Sequence, residues 1–222
     1  MIKSINLISL FLLFIILTTY TPNFKTKKKS IIFPIKSIEI ENTKVLKKQR
    51  LIFVLEYLIG KNLLLVNQNS IKSDIMNFDF VQSFKIKKIF PSSIKIIIKE
   101  KKPVAIYIFE KNKYFISEKG DLIKYIENEN YRNLPLLFGK KDYFKSFYTK
   151  LKSVTFPIYE IASFNYFEIG RWDIILKNKK TIKLPNKDYI QALDNFLDLK
   201  NKKSFEKYTI FDYRISNQLI LK

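Results

Sequence analysis

Cysteine and histidine are both absent from the 222 residues, and glycine occurs four times. Without thiols or imidazoles the chain has no zinc site of the usual kind. It also has no Ser-His-Asp or Cys-His nucleophile system, no His-held haem and no disulfide. So little glycine leaves scant room for phosphate-cradling loops, and neither GxGxxG nor GxxxxGK(S/T) occurs. Catalysis would have to run on carboxylate, Lys or Tyr alone. What is present is apolar and basic. A hydrophobic fraction of 47% supports a folded core, and 41 Lys and Arg against 20 Asp and Glu give a formal charge of +21. That sign admits a polyanion or an anionic membrane surface as partner. The basic residues, however, are spread along the whole chain, which is also crowded with Ile, Lys, Asn and Phe, the residues an A+T-rich genome favours.

The longest apolar run is Ile5–Tyr20. As a helix it reaches ~24 Å, a little short of a ~30 Å hydrocarbon layer, and the flanking residues extend it. An anchor over residues 5–21 is expected, after a short segment at 1–4. The competing reading is a cleaved signal peptide, which wants small residues at the cleavage point, and Thr18-Thr19-Tyr20-Thr21 offers no A-x-A site. Orientation is open on charge: Lys3 precedes the run and Lys25, Lys27, Lys28 and Lys29 follow it. Residues 22–33 read as an extended linker.

The body begins with Ile35–Glu41, where Ile38 and Ile40 alternate with Ser37, Glu39 and Glu41 as in a half-buried strand. Asn42-Thr43 is an N-cap signal, and apolar residues from Val45 to Ile59 recur at helical spacing up to Gly60. Ser70 is expected to cap a second helix, with Ile71, Ile75 and Phe78 on one face. Strands over Val81–Phe90 and Ile94–Lys99 follow, joined at Pro91-Ser92-Ser93. Strand, helix, helix, strand, strand is a small α+β unit. The stretch from Val81 to Pro91, then Ile94-Lys95-Ile96, then Lys99-Glu100-Lys101-Lys102-Pro103-Val104-Ala105, resembles the end of the POTRA domain of the FtsQ/DivIB bacterial cell-division family. Lys101 stands where that family usually carries Arg.

In the C-terminal half, Tyr114–Ser117 and Leu122–Tyr125 read as a hairpin, as do Arg171–Lys177 and Thr181–Pro185. Helices are expected over Asp142–Val154 and Lys187–Leu199, and the chain ends on Tyr208–Arg214 and Gln218–Leu221. The ordered pieces Phe115–Ile123, Leu134–Gly139, Arg171–Pro185 and Phe211–Ile215 are similar to the β-domain of the same family. The resemblance covers about residues 31–222. It implies a fold of α+β class: an N-terminal transmembrane helix, a POTRA domain (βααββ, residues 34–103) and a mixed or antiparallel β-domain with two helices (residues 104–222). It also implies a cytoplasmic amino terminus, a periplasmic body at the division septum of the inner membrane, and non-catalytic scaffold work linking early and late division proteins. Its partners would be FtsB and FtsL and, through them, the septal peptidoglycan synthesis proteins. No cofactor, metal, nucleic acid or small-molecule substrate is expected.

The candidate site lies near the carboxyl terminus. If 208–214 is a strand, Phe211, Tyr213 and Ile215 point one way and Asp212 and Arg214 the other. One reading is a core-facing strand with a solvated ion pair. The other is a bare sheet edge that takes a partner's strand, which the resemblance favours. The expected partner-binding residues are Arg171, Tyr213, Arg214, Ile215, Ser216, Asn217, Gln218 and Leu219. By the family's pattern, Arg171 and Arg214 meet carboxylates of the partner; the alternative is pairing within the chain to Asp173 or Asp212. Trp172 is expected in the core. Glu100 is expected to hold the POTRA–β junction by pairing with a nearby Lys, and a catalytic pair with Glu110 has no support in spacing. The rival functions are a POTRA protein of outer-membrane assembly or secretion and a basic nucleic-acid binder.

Overall fold

A computed structural model describes residues 7–19, 31–215 and 218–222. Helix α1 runs over Leu7–Thr19 and has no charged residue. At 1.5 Å per residue it is ~20 Å long. No helix among the described residues is long and apolar enough to cross a membrane. Residues 5, 6, 20 and 21 of the expected anchor lie outside the described residues.

A three-stranded sheet follows, built from β1 (Ser37–Glu41), β2 (Val81–Ile89) and β3 (Ser93–Glu100) in the order β1-β3-β2. β3 pairs parallel to β1 and antiparallel to β2. One face of β3 is apolar, and Ile94, Ile96 and Ile98 are buried on it against α2 (Lys48–Leu55) and α3 (Gln68–Met76). The helices contribute Leu51, Leu55, Ile71 and Ile75 to the same core. On the opposite face Lys95 lies 2.8 Å from Glu41 and 3.4 Å from Glu39.

The helices start later than, or are capped differently from, the pattern of the sequence. α2 is preceded by Lys47, which makes no side-chain cap, and Asn42 sits in the left-handed region at φ 62°. The cause is Glu100, whose carboxylate accepts the backbone N–H groups of Lys44, Val45 and Leu46 at 2.9–3.1 Å. Those amides are satisfied outside a helix, so residues 44–46 remain a loop. The cap of α3 is Asn67, which accepts from the amide of Asn69, and Ser70 is already inside the helix. Glu100 was expected to meet a lysine. It holds a run of three main-chain donors instead, and Val45 and Leu46 of that run pack against Phe80, Ile106, Phe115 and Ile123, where the two sheets meet.

The second sheet has nine strands in the order β12-β11-β10-β9-β8-β7-β4-β5-β6. They are β4 (Pro103–Phe109), β5 (Asn112–Ser117), β6 (Leu122–Lys124), β7 (Leu136–Phe138), β8 (Ile161–Phe167), β9 (Arg171–Leu176), β10 (Thr181–Lys183), β11 (Ile210–Asp212) and β12 (Ile220–Leu221). β7 joins the two halves of the sheet by pairing parallel to both β4 and β8, and β10 and β11 are also parallel, while the remaining neighbours are antiparallel. Two helices, α4 (Phe144–Ser153) and α5 (Tyr189–Leu199), cover one face. Phe144, Phe147, Leu151, Leu193 and Phe196 are buried there against Phe164, Ile174, Ile182 and Phe211. Trp172 lies in this core, stacked on Phe147 with ring centroids 4.3 Å apart. Each such side chain taken fully out of water contributes ~1.5–3 kcal/mol. Gly139 ends β7 at φ 91°, and a Cβ there would lie 2.2 Å from the carbonyl oxygen of Tyr166. No other residue lets the chain pass β8 so closely.

Candidate partner-binding edge

Four short strands form the carboxyl-terminal margin of the large sheet. Their registers place Asp173, Lys183, Asp212 and Ile220 opposite one another in one row. The neighbouring row, Ile174, Ile182, Phe211 and Leu221, faces the core. The alternation in Arg171-Trp172-Asp173-Ile174 therefore puts Arg171 and Asp173 on the charged face and Trp172 and Ile174 inside.

The charged row is internally paired. Arg214 sends Nε to Asp212 Oδ1 at 2.8 Å, and its Nη2 bonds Oδ2 of the same carboxylate. That fork holds the Asp212 carboxyl below its ordinary range and raises the guanidinium's own pKa. Arg171 Nε lies 3.5 Å from Asp173 Oδ1, and neither atom has a hydrogen-bond partner although both are buried. Burial dominates at Asp173 and pushes its pKa up, against the nearby cations Arg171, Lys183 and Arg214. The two aspartates that flank Lys183 in the row are thus shifted in opposite directions, because the bidentate Arg214 fork is committed to Asp212. Arg171 also lies over the ring of Phe167, 4.5 Å from its centroid.

Two expectations need correction. The strand around 208–214 is not the bare margin. β12 folds back antiparallel to β11, and the amide of Lys222 donates to Ile210 O while Ile210 N–H donates to Lys222 O. The loop between Asp212 and Ile220 is long enough for the chain to reverse and satisfy those groups itself. The free margin is the outer side of β12. In an antiparallel ladder inward and outward residues alternate; since Lys222 points inward, the N–H and C=O of Leu221 point outward.

Tyr213, expected to meet a partner, is buried: 8% of its surface is exposed. Its hydroxyl donates to Asn195 Oδ1 at 3.0 Å and its amide to Lys183 O at 2.9 Å. Burial raises its phenol pKa. The expected alternation breaks after it, because Ile215 turns outward with 52% exposure as Gln218 N–H closes a turn onto Ile215 O. Arg214 and Gln218 are exposed, Leu219 is half-buried against the core, and Ser216 and Asn217 lie outside the described residues. The Arg171–Asp173 and Arg214–Asp212 pairs are those of the alternative reading, and both cations still reach the surface of the row. Lys183 belongs to the same row and was missed; the signal available was its place two residues after Thr181 in a hairpin whose core-facing residue is Ile182.

Two consecutive family descriptions match this chain: the FtsQ-type POTRA domain over residues 33–101 and the C-terminal domain of cell division protein FtsQ/DivIB over residues 105–214. The chain belongs to the FtsQ/DivIB family. Cell division protein DivIB of Clostridium tetani (strain Massachusetts / E88) is 29% identical over 195 residues, covering 78% of this chain and 69% of that protein. Cell division protein FtsQ of Rickettsia bellii (strain RML369-C) is 26% identical over 194 residues, covering 84% of this chain and 71% of its own length. The solved major extracytoplasmic domain of the trans isomer of cell division protein DivIB from Geobacillus stearothermophilus aligns at a TM-score of 0.31 and 15% identity, covering 47% of this chain and 99% of that one.

Proposed function

We propose that this FtsQ/DivIB member is a non-catalytic division scaffold of the inner membrane. In this reading residues 5–21 cross the membrane once from a cytoplasmic amino terminus and residues 22–33 are the linker. Residues 34–103 form the POTRA domain and 104–222 the β-domain, both periplasmic. The C-terminal sheet margin takes a strand of FtsB, with FtsL in the same complex, and connects early to late division proteins at the septum.

The observation that carries the docking step is the outer side of β12, which among the described residues has no neighbouring strand at the end of the large sheet. Such an edge is a template for strand addition. Arg214 and Ile215, in the segment that leads from β11 towards β12, are exposed and offer a cation and an apolar contact for a strand carrying carboxylates and apolar residues. Arg171 lies farther in along the charged row. Tyr213 acts from inside, by fixing the approach to the loop that ends in β12. A standard-sized interface would cover ~800 Å² on each partner. The FtsQ/DivIB C-terminal match favours this over an outer-membrane or secretion POTRA protein and over a nucleic-acid binder.

The test is capture of FtsB and FtsL by the full chain co-expressed with them in membranes, alongside a topology reporter fused after Lys222. Joint capture with a periplasmic reporter is expected. A cytoplasmic reporter, or a chain recovered without either partner, overturns the proposal.

A further inference from the structure

A second surface lies on the three-stranded-sheet unit, far along the chain from the docking edge. A groove of about 630 Å³ is lined by Ile31, Ile32, Tyr57, Lys61, Leu65 and Val66, among others. Its walls are held together by main-chain bonds: Ile35 N–H donates to Lys61 O, Gly60 N–H to Ile35 O, and Leu63 N–H to Phe33 O. Leu65 is 81% exposed and Ile32 65%, so large aliphatic side chains stand in water at its mouth. Exposed apolar side chains clustered in one place mark an interaction surface. Among the described residues that line the groove none is acidic; Lys61 lies on it, its ammonium 4.5 Å from the centre of the Tyr57 ring. The Tyr57 hydroxyl is already engaged with Asp74 at 2.9 Å.

The location of the groove identifies its occupant. Ile31 and Ile32 are groove wall and also the first described residues after α1, so the groove lies where the body is joined to its N-terminal segment. The intervening residues 20–30 include Lys25, Lys27, Lys28 and Lys29. Even fully extended they reach no more than ~40 Å, so they tether the groove close to whatever holds α1. We infer that this groove rests on the surface of an anionic phospholipid bilayer, with Ile32 and Leu65 entering the acyl boundary and Lys61 meeting the headgroups. This rests on the anchor reading above. Apolar side chains dipped into the interface beside lysines, held there by a short tether, are the features of interfacial membrane binding. The body would then be held against the membrane at a fixed tilt, which sets the direction of the C-terminal margin.

The absence of cysteine makes the test clean. Leu65→Cys and, as a control in the large-sheet unit, Tyr159→Cys, which replaces a 76% exposed residue, are each labelled in the full chain. The proteins are reconstituted in nanodiscs of phosphatidylglycerol with phosphatidylcholine, or of phosphatidylcholine alone. The label at 65 is expected to be quenched by brominated acyl chains and shielded several-fold from an aqueous quencher in anionic discs. Shielding is expected to weaken in neutral discs and with Lys61→Glu, while the label at 159 stays accessible in all of them. A label at 65 as accessible as that at 159, in chains that co-elute with anionic discs, overturns the inference and leaves the anchor standing. Chains that do not co-elute with discs overturn both. Shielding that arises only when FtsB and FtsL are added assigns the groove to protein and also overturns it.

Discussion

Replacing Leu221 by proline separates the proposed docking from folding, because in that proposal the two use opposite sides of β12. Lys222 and Ile210 exchange main-chain bonds on the inner side, and Ile220 pairs with Asp212. The N–H of Leu221 points outward and has no intramolecular use in that ladder. Proline removes this donor and sets its ring where a partner's carbonyl would approach. One main-chain bond is worth ~0.5–1.5 kcal/mol net, and a partner carbonyl left buried and unpaired raises the loss to ~1–3 kcal/mol. That is roughly a 5- to 150-fold weaker complex. Proline also trims the Leu221 side chain, which packs against the core, so Leu221→Ala is the control that keeps the N–H and loses the same packing. Both variants are to be measured as full chains for FtsB–FtsL affinity at fixed ionic strength and for thermal unfolding. Similar melting with weaker binding for proline than for alanine is expected. Equal affinities would refute strand addition at this edge, whatever other contacts the partner makes.

Two further outcomes follow from buried polar groups. Glu100→Ala strands the amides of Val45 and Leu46 at the meeting of the two sheets and is expected to destabilise by ~2–4 kcal/mol in chemical denaturation. Glu100→Gln, which keeps an acceptor for the bonds now made by Oε1, should lose less. In the charged row the two aspartates should respond to acid with opposite signs. The Asp212 pKa is depressed below 3.8 in the fold, so its stabilising contribution is complete above that value and disappears as pH falls through the depressed one. The stability lost in Asp212→Asn should therefore shrink below about pH 4. The Asp173 pKa is raised, so acid protonates it in the folded state first and favours folding. Asp173→Asn should be close to neutral or stabilising near pH 7 and lose that advantage in acid, as read from unfolding midpoints across pH.

The three-stranded unit was legible because its signals are local. Ile94, Ile96 and Ile98 alternate with Lys95 and Lys99, and Ile71 and Ile75 repeat at helical spacing; burial follows those periods directly. The strands that went unread are β4, β7 and β8, adjacent to one another in the middle of the large sheet. Their joins at β7 are parallel, and strands beside parallel neighbours depend on pairing from remote parts of the chain more than on a turn beside them. β7 has three residues, too few to show a period.

By itself the sequence determined the absence of thiol and imidazole chemistry, the apolar run near the start, the alternating faces and the ordered pieces of the FtsQ/DivIB family, because each lies in residue identity or short spacing. Only the tertiary structure decided which strand ends the sheet, that Tyr213 is buried, that Asp212 and not Asp173 receives the Arg214 fork, and that Glu100 caps amides more than fifty residues away. Those outcomes depend on which main-chain donors and acceptors find partners after remote segments meet, and no local pattern encodes that.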